Sequence, residues 1–487
     1  MLGRRGALTV DSLPRGLDPI TGQKPSESCA VVGFHGRTQA FPVIYSALRT
    51  LQHRGQENSG VATHDGQKIE LLKVDGHVFE GFKPHIEKGD YPKGKIGIGH
   101  NRYSTEGLKN ITGAGPYLVN TSAGQIAVAH NGEITNFREL REELKEKGVP
   151  FFTTTDTEVM VNLLAREIKE RGLLTGLRNA MSILKGSYSV TMMIDDKLYA
   201  IRDPLGFKPL IIGKIWDGMM VASESSAIDV LGGSVIRDVE PGEVVELDSE
   251  GFRTILKVPS ERKAHCMFEW VYFARPDSII DNVEVYNSRY HLGLELAREA
   301  PASGDIVIPV PDSGRTQASG FAEGSGIPYA EGLFKNRYSE RTFIMPNQKE
   351  RDEAVRIKLN PIRSVISGKR IVLVDDTIVR GTTTRRIVGL LRKAGAKEVH
   401  VRVASPKIIA PCYFGIDMKT RDQFIALNRN DEEIAAEIGA DSVAYLSMDG
   451  LTKSIGKSKH ELCLGCLTGK YPVKVKDEIE YFQKTLE

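Results

Sequence analysis

No apolar run in these 487 residues approaches the length of a membrane span. Stretches such as Ile371-Val372-Leu373-Val374 stop far short of the ~20 residues a bilayer requires, so no membrane partner is expected. Charge of one sign is also missing. The 65 Lys and Arg against 63 Asp and Glu leave +2, which excludes a polycation built to coat nucleic acid and an acidic disordered solubiliser. Cysteine is scarce: five, an odd count, cannot staple a chain of this length. In a reducing cytosol such thiols serve as ligands, nucleophiles or buried filler. Arg4, Arg5 and Arg15 are not followed by the roughly 7–15-residue apolar core of a secretory signal. Internal repeats and low-complexity tracts are absent from the sequence as well. What remains is ordinary, 40% hydrophobic and 26% charged, enough for sizeable cores. At roughly 150 residues per domain, a cytoplasmic protein of two or three domains is expected.

Residues 1–28 hold Pro14, Pro19 and Pro25 and read as a disordered leader, a misplaced start or a processed propeptide. The first strand-like run opens at Cys29. From there to about Leu256, strands are expected over 96–99, 125–130, 188–194, 197–202, 210–212 and 243–247. Helices are expected over 137–147, with Asn136 as cap, and over 157–171. Hairpin turns fall at Asp195-Asp196 and Ser249-Glu250-Gly251. This pattern predicts a layered α+β unit with antiparallel sheets. Beyond a charged connection at 259–263, strand and helix alternate: strands over 306–311, 370–374 and 399–405, helices over 317–326 and 382–393, the last closed by Gly395. Such an α/β series implies a parallel sheet with ligands at the carboxyl ends of its strands. The expected division is a leader 1–28, a first domain 29–258, a linker 259–279 carrying Cys266, a second domain 280–450 and a lysine-rich tail 451–487 with Cys463 and Cys466.

Chemistry concentrates first around residues 370–384. An apolar strand ends in Asp375-Asp376, then Arg380-Gly381-Thr382-Thr383-Thr384 opens a helix. Free backbone N–H groups and hydroxyls there suit a phosphate monoester, and paired carboxylates at a strand end suit ribose hydroxyls with a nearby Mg²⁺. A lone Asp-Asp is an ordinary acidic turn; the whole stretch resembles the 5-phosphoribosyl-1-diphosphate (PRPP) motif of type I phosphoribosyltransferases. Pro309-Val310-Pro311-Asp312-Ser313-Gly314 offers amides and a hydroxyl to pyrophosphate or metal. Lys335-Asn336-Arg337-Tyr338 and Arg341-Thr342-Phe343-Ile344 frame a basic loop able to close over a polyanion.

A second constellation begins at the thiol. Cys29 is followed by Leu51-Gln52-His53-Arg54-Gly55-Gln56, Gly99-His100-Asn101-Arg102, His130-Asn131-Gly132-Glu133 and Thr154-Thr155-Asp156-Thr157-Glu158. Taken singly these are core filler, a surface ion pair and a hairpin turn. In this order they resemble class II glutamine amidotransferases, the N-terminal-nucleophile hydrolases. That resemblance implies an αββα domain in which a freed α-amine on Cys29 takes the thiol proton. It further implies that Asn131 and Gly132 form the oxyanion hole, that Arg102 clamps the glutamine α-carboxylate and that Asp156 pairs with its α-ammonium.

Both halves together, over about Ser28 to Pro472, resemble the amidophosphoribosyltransferase family. The resemblance implies hydrolysis of glutamine, passage of ammonia through an internal channel and its attack on C1 of PRPP, the first committed step of purine synthesis. It assigns Ser313, Asp375 and Asp376 to one Mg²⁺ with PRPP, and Arg380, Gly381, Thr382 and Thr383 to the 5-phosphate. Lys335, Arg337 and Arg341 fall to the closing loop. It also implies a homotetramer inhibited by purine nucleotides.

Cys266, Cys412, Cys463 and Cys466 offer four thiolates with one C-x₂-C pair. Ligand count alone leaves Zn²⁺, a [4Fe–4S] cluster and plain buried thiols open. Against the family they coincide with the cluster ligands of its iron–sulfur, propeptide-processed branch, which implies one [4Fe–4S] cluster per subunit. Departures are Ala30 in place of glycine, Asn101 beside Arg102, Glu340 in the closing loop and Arg315 after Ser313-Gly314. Glucosamine-6-phosphate synthase shares the first half but lacks the Asp-Asp and Thr/Gly loop. A PRPP sensor would have no use for Cys29, Arg102, Asn131 and Asp156. Mass spectrometry of the purified protein is expected to find Cys29 at the amino terminus; full glutamine hydrolysis by a chain still carrying residues 1–28 would exclude the α-amine as base.

Overall fold

Short β-branched segments with period-two burial build the first half. In Ala30–His35, Ala30, Val32 and Phe34 face one apolar cluster while Val31 faces another. The computed structural model describes residues 29–103, 111–121, 124–336, 359–418 and 420–475, so the leader 1–28, with Glu27, lies outside them. One antiparallel sheet runs in the order Ser234–Asp238, Ile211–Ile215, Gly218–Ala222, Ala30–His35, Ile96–Arg102, Asn58–His64, Ile69–Asp75. A second runs Phe252–Lys257, Glu243–Leu247, Lys197–Arg202, Gly186–Ile194, Gly124–Ile134, Tyr117–Thr121. Their facing sides share one core, in which Val31, Ala62 and Ile98 meet Ala127, Met193 and Ala200. The helix Ala40–Thr50 covers the first sheet, and the helices Asp156–Arg171 and Leu173–Ile183 cover the second. This is the expected αββα sandwich.

The second half is a parallel sheet in the order Ile306–Pro309, Arg370–Asp375, Glu398–Val403, Ser442–Tyr445. Ile306–Pro309 and Arg370–Asp375 are apolar on both faces, as covered parallel strands are, whereas Glu398–Val403 carries His400 and Arg402 on one face. Val307, Val372 and Val374 pack toward the helices Val285–Glu299 and Arg315–Ser325. Ile308, Ile371 and Leu373 pack toward Thr382–Lys393 and Asp431–Ile438.

Three expectations change. The segment 259–279 is a linker only at its charged start. From Met267 it enters the second core, where Phe268, Trp270 and Val271 are fully buried around a π-helical turn at Glu269–Phe273. The boundary at 450 falls inside the helix Met448–Ile455, whose Leu451 and Ile455 are also core. Asn136 precedes its helix without capping it: the side chain instead donates to Ile183 O (3.0 Å) and accepts from Lys185 N (3.0 Å), bridging to the next turn. Non-local partners decided each case.

Candidate functional site

Cys29 precedes the central strand of the first sheet, and Ala30 is in register with Asn101, so the thiol lies beside the end of the Ile96–Arg102 strand. Its Sγ donates to Tyr103 O at 3.6 Å. Burial pushes the thiol up, the charge on Arg102 opposes that, and Asp156 and Glu57 reinforce it. Arg102 and Asp156 are therefore both within electrostatic reach of the sulfur. Asp156 opens the helix Asp156–Arg171, where the free amides of a first turn favour a carboxylate, and Thr155 caps that helix by accepting from Glu158 N. The Asp156 side chain also accepts from Ile134 N at 3.0 Å and lies 3.7 Å from His130.

Asn131 and Gly132 sit in the same strand, between His130 and Ile134. Asn131 is fully buried, and among the described residues neither atom of its amide has a partner. Such a group costs about 1–3 kcal/mol unless something satisfies it. Gly132 has φ +146°, and a Cβ there would fall 2.1 Å from Ser187 O, so only glycine fits. The five catalytic and glutamine-binding positions read from the sequence lie on four separate segments, and Asp156 links three of them through its influence on the Cys29 thiol and its bond to Ile134 N.

The structure also accounts for two departures. Ala30 is core on the helix side, opposite the face taken by Val31, so it does not crowd the thiol. Asn101 donates to Leu48 O (2.8 Å) and accepts from Ser59 Oγ (2.9 Å), tying helix to sheet. His100 was quoted only as a neighbour of Arg102, yet it is fully enclosed. Its Nε2 donates to His130 O at 3.0 Å, and burial, helped by Arg102, holds its pKa down to about 3.

The second constellation lies where the parallel sheet ends. Asp375 and Asp376 are both nearly inaccessible. Asp375 accepts from Asp376 N (2.9 Å), and Asp376 accepts from Thr377 Oγ1 (2.8 Å). Gly381, at φ +75°, turns the chain into the helix Thr382–Lys393, leaving the amides of Thr382 and Thr383 without intrahelical acceptors. Arg380 hydrogen-bonds the Gln423 side chain. Ser313 lies in the turn between Pro309 and the helix Arg315–Ser325. Lys335 ends a short strand and pairs with Asp312 at 3.2 Å. Arg315, the departure after Ser313-Gly314, pairs with Asp312 (3.3 Å) and Glu331 (2.9 Å), so carboxylates engage it. Arg337, Glu340 and Arg341 lie outside the described residues.

Sequence reasoning missed three groups here. Among the described residues, Ser405 Oγ and the Tyr445 hydroxyl are buried without partners at the ends of the neighbouring strands. Arg289 is buried within electrostatic reach of Asp376; burial lowers its pKa to about 10 while Asp376 supports its charge. Only Ser405, as the last residue of an expected strand, carried any signal.

Cys266 and Cys463 are register partners in a two-strand parallel pairing. The amides of Ile409 and Ala410 donate to Cys466 O at 3.0 and 3.1 Å, drawing the Cys412 segment to the C-x₂-C pair. Burial pushes Cys412 up to about 12 and Cys466 well above the usual thiol value, and neighbouring thiols add to both shifts. A donor set of sulfur alone fits a thiophilic metal group. Among the described residues no group of three or more His, Cys, Asp or Glu gathers as the cage of a single ion.

Comparison with known proteins matches both halves. A family described as glutamine amidotransferase domain covers residues 100–230, and one described as phosphoribosyl transferase domain covers 282–407. Amidophosphoribosyltransferase of Methanocaldococcus jannaschii is 49% identical over 468 residues, covering 92% of this chain and 98% of its own. The Archaeoglobus fulgidus protein of that name is 50% identical over 455 residues, covering 92% and 99%. The solved glutamine PRPP amidotransferase from B. subtilis, complexed with ADP and GMP, superposes with a TM-score of 0.85 at 43% identity over 92% of this chain and 98% of that one.

The state of His100 has a measurable consequence. An unfolded histidine binds a proton near pH 6.5, whereas the folded His100 does not until about pH 3. Its contribution to stability is therefore complete above pH ~6.5 and falls by up to ~1.4 kcal/mol per unit as pH drops below that. The thermal midpoint is expected to decline more steeply between about pH 7.5 and 5.5 in the wild type than in His100→Gln; parallel profiles would contradict the buried neutral ring.

Proposed function

The chain belongs to the amidophosphoribosyltransferase family, and from that premise we propose that Cys29 generates ammonia from glutamine for transfer to C1 of PRPP at Asp375-Asp376. The α-amine of a mature Cys29 takes the thiol proton, and the thiolate attacks the side-chain amide carbon of glutamine. Asn131 Nδ2 and the Gly132 N–H receive the developing oxyanion. The tetrahedral adduct collapses with the proton passing to nitrogen, ammonia leaves, and water releases glutamate from the thioester. Arg102 holds the α-carboxylate of the substrate and Asp156 its α-ammonium. The observation that carries this reading is the Asn131 amide, buried without a partner among the described residues in the strand beside Asp156: a substrate oxyanion is the acceptor its Nδ2 lacks.

At the second site Asp375 and Asp376 bind the cis hydroxyls of the ribose and shield the positive charge that develops at C1. The loop Arg380-Gly381-Thr382-Thr383 holds the 5-phosphate through backbone amides at a helix N-terminus. Lys335, with Arg337 and Arg341 of the loop outside the described residues, faces the pyrophosphate. Ammonia attacks C1 opposite the pyrophosphate, the C1–O bond breaks, and 5-phospho-β-ribosylamine forms with inversion. Ser313, Asp375 and Asp376 would hold Mg²⁺, which supplies neutralisation of diphosphate charge. Paired carboxylates with one hydroxyl suit a hard cation that keeps waters and substrate oxygens in its shell.

The four cysteines would hold one structural [4Fe–4S] cluster per subunit, joining the connector, the Cys412 segment and the C-terminal region. Four thiols drawn together from three segments offer the all-sulfur donor set such a cluster takes. Purine nucleotides are the proposed feedback ligands, since the B. subtilis structure is described as complexed with ADP and GMP. A homotetramer in the cytoplasm completes the reading; among the described residues no helix is long and apolar enough to cross a membrane.

With glutamine, PRPP and Mg²⁺ the protein is expected to release glutamate and pyrophosphate together. Cys29→Ala should reduce glutamine-dependent synthesis about 10³-fold or more while sparing synthesis from free ammonia; equal loss of both would contradict two separate sites. Anaerobically purified protein is expected to carry iron and acid-labile sulfide in cluster stoichiometry, and a colourless, iron-free, fully folded protein would refute the cluster.

A further inference from the structure

The Cys29 carbonyl accepts a hydrogen bond from Arg54 Nε at 3.3 Å. Arg54 is inaccessible, and the other edge of its guanidinium is spoken for: Nη1 and Nη2 reach Glu269 at 2.9 and 2.8 Å, and Nη1 also reaches Glu224 at 2.7 Å. Glu224 in turn accepts from Arg275 N (2.9 Å) and Ser278 Oγ (2.8 Å). Lys208 lies 3.6 Å from Glu269. Arg54, Lys208 and Glu224 come from the sandwich, whereas Glu269, Arg275 and Ser278 come from the connector buried in the second core.

Glu269 opens the π-helical turn Glu269–Phe273, a rare geometry found frequently at functional sites. That turn is gripped from the far side. Arg289 donates to Trp270 O at 2.8 Å and to Ala274 O at 2.7 Å, and of the carboxylates around it Asp376 supports its charge most. Adhesion between the halves does not require any of this, because well-packed apolar side chains serve an interface as well as a buried ion pair or better. What the charged arrangement adds is direction. A planar fork fixed bidentately on Glu269 presents its Nε edge at one angle, and that edge fixes the peptide plane that follows Cys29.

We propose that Arg54 is a positioning residue for the Cys29 nucleophile, and that its orientation is set from the phosphoribosyl half by Glu269. This rests on the assignment of Cys29 as the glutamine nucleophile. The arrangement makes the glutaminase dependent on the seating of the connector, and the connector is held at its other side by Arg289. Arg102 and Asp156, assigned to binding glutamine, are not part of the fork, so the signature is a loss in turnover without a loss in substrate affinity.

Arg54→Lys keeps the charge but cannot hold Glu269 and the Cys29 carbonyl at once; Glu269→Gln keeps the shape and removes the anchor. Each is expected to lower kcat for glutamine hydrolysis roughly 10–100-fold, the scale of an ångström-level misplacement. KM for glutamine and the ammonia-dependent synthesis rate should stay within about twofold of wild type. The double variant should be little worse than either single one, because both remove one interaction. Folded variants in which both activities fall together, or in which glutamine hydrolysis is untouched, would overturn the inference. Arg54→Lys leaves the buried charge balance intact and so serves if Glu269→Gln does not fold. Hydrolysis surviving in Cys29→Ala would instead overturn the nucleophile assignment beneath it.

Discussion

Desolvation of polar groups at the ends of buried strands is the constraint on which the rest of this molecule depends. Asn131, Asp375, Asp376, Ser405 and Tyr445 all lie inside the protein. A hydrophobic sheet would normally exclude such groups or pair them fully. Here the apolar strands deliver them to two places, the open end of a sandwich and the carboxyl edge of a parallel sheet. The cost of keeping them dry is offset by the cores that the same strands build. The Asn131 amide, Ser405 Oγ and the Tyr445 hydroxyl have no partner among the described residues, and such atoms are what a substrate can complete.

A second consequence is that the two halves cannot be independent. The connector from Met267 onward is core, with Trp270 fully buried. Phe207 of the sandwich stacks on Phe414 at 4.4 Å, and Ser187 Oγ donates to Phe414 O at 2.9 Å. A Cβ on Gly415 would lie 3.1 Å from the backbone of Gly132. The segment that carries Cys412 therefore packs against the strand of Asn131 and Gly132. Reactions that hand over a small, diffusible amine benefit from this rigidity, since relative motion of the halves would open the path to water.

Legibility followed chain distance. The strand ending in Asp375-Asp376 and the helix Thr382–Lys393 read correctly because both the apolar run and the glycine turn are local. The long helix Asp156–Arg171 read to within one residue for the same reason, since a threonine cap and 3.6-residue periodicity are properties of a short window. The helix Val285–Glu299 was passed over because it buries Ser288, Arg289 and Gly293 along with its leucines, a pattern that looks mixed until its neighbour Arg315–Ser325 is known. Residues 259–279 read as a linker because Glu269 and Arg275 interrupt the aromatics; Glu269 is neutralised by Arg54 and Lys208 of the other half, and Arg275 pairs with Asp277. Asn136 failed as a cap because a turn nearly fifty residues on offered its amide two better partners.

By itself the sequence determined the chemistry on offer: a thiol at the head of a strand, an arginine, an asparagine–glycine pair and an aspartate downstream, two acids before a phosphate-type loop, and four further sulfurs. These are set by residue type and short spacing, and short-range sterics and hydrogen bonding act on them whatever the rest of the chain does. Tertiary structure alone decided which groups were left without partners, which histidine was held neutral and which arginine faced the thiol. Those outcomes depend on water being excluded by atoms far away in the chain, and neither burial nor the Coulomb forces it strengthens has any counterpart in a linear string.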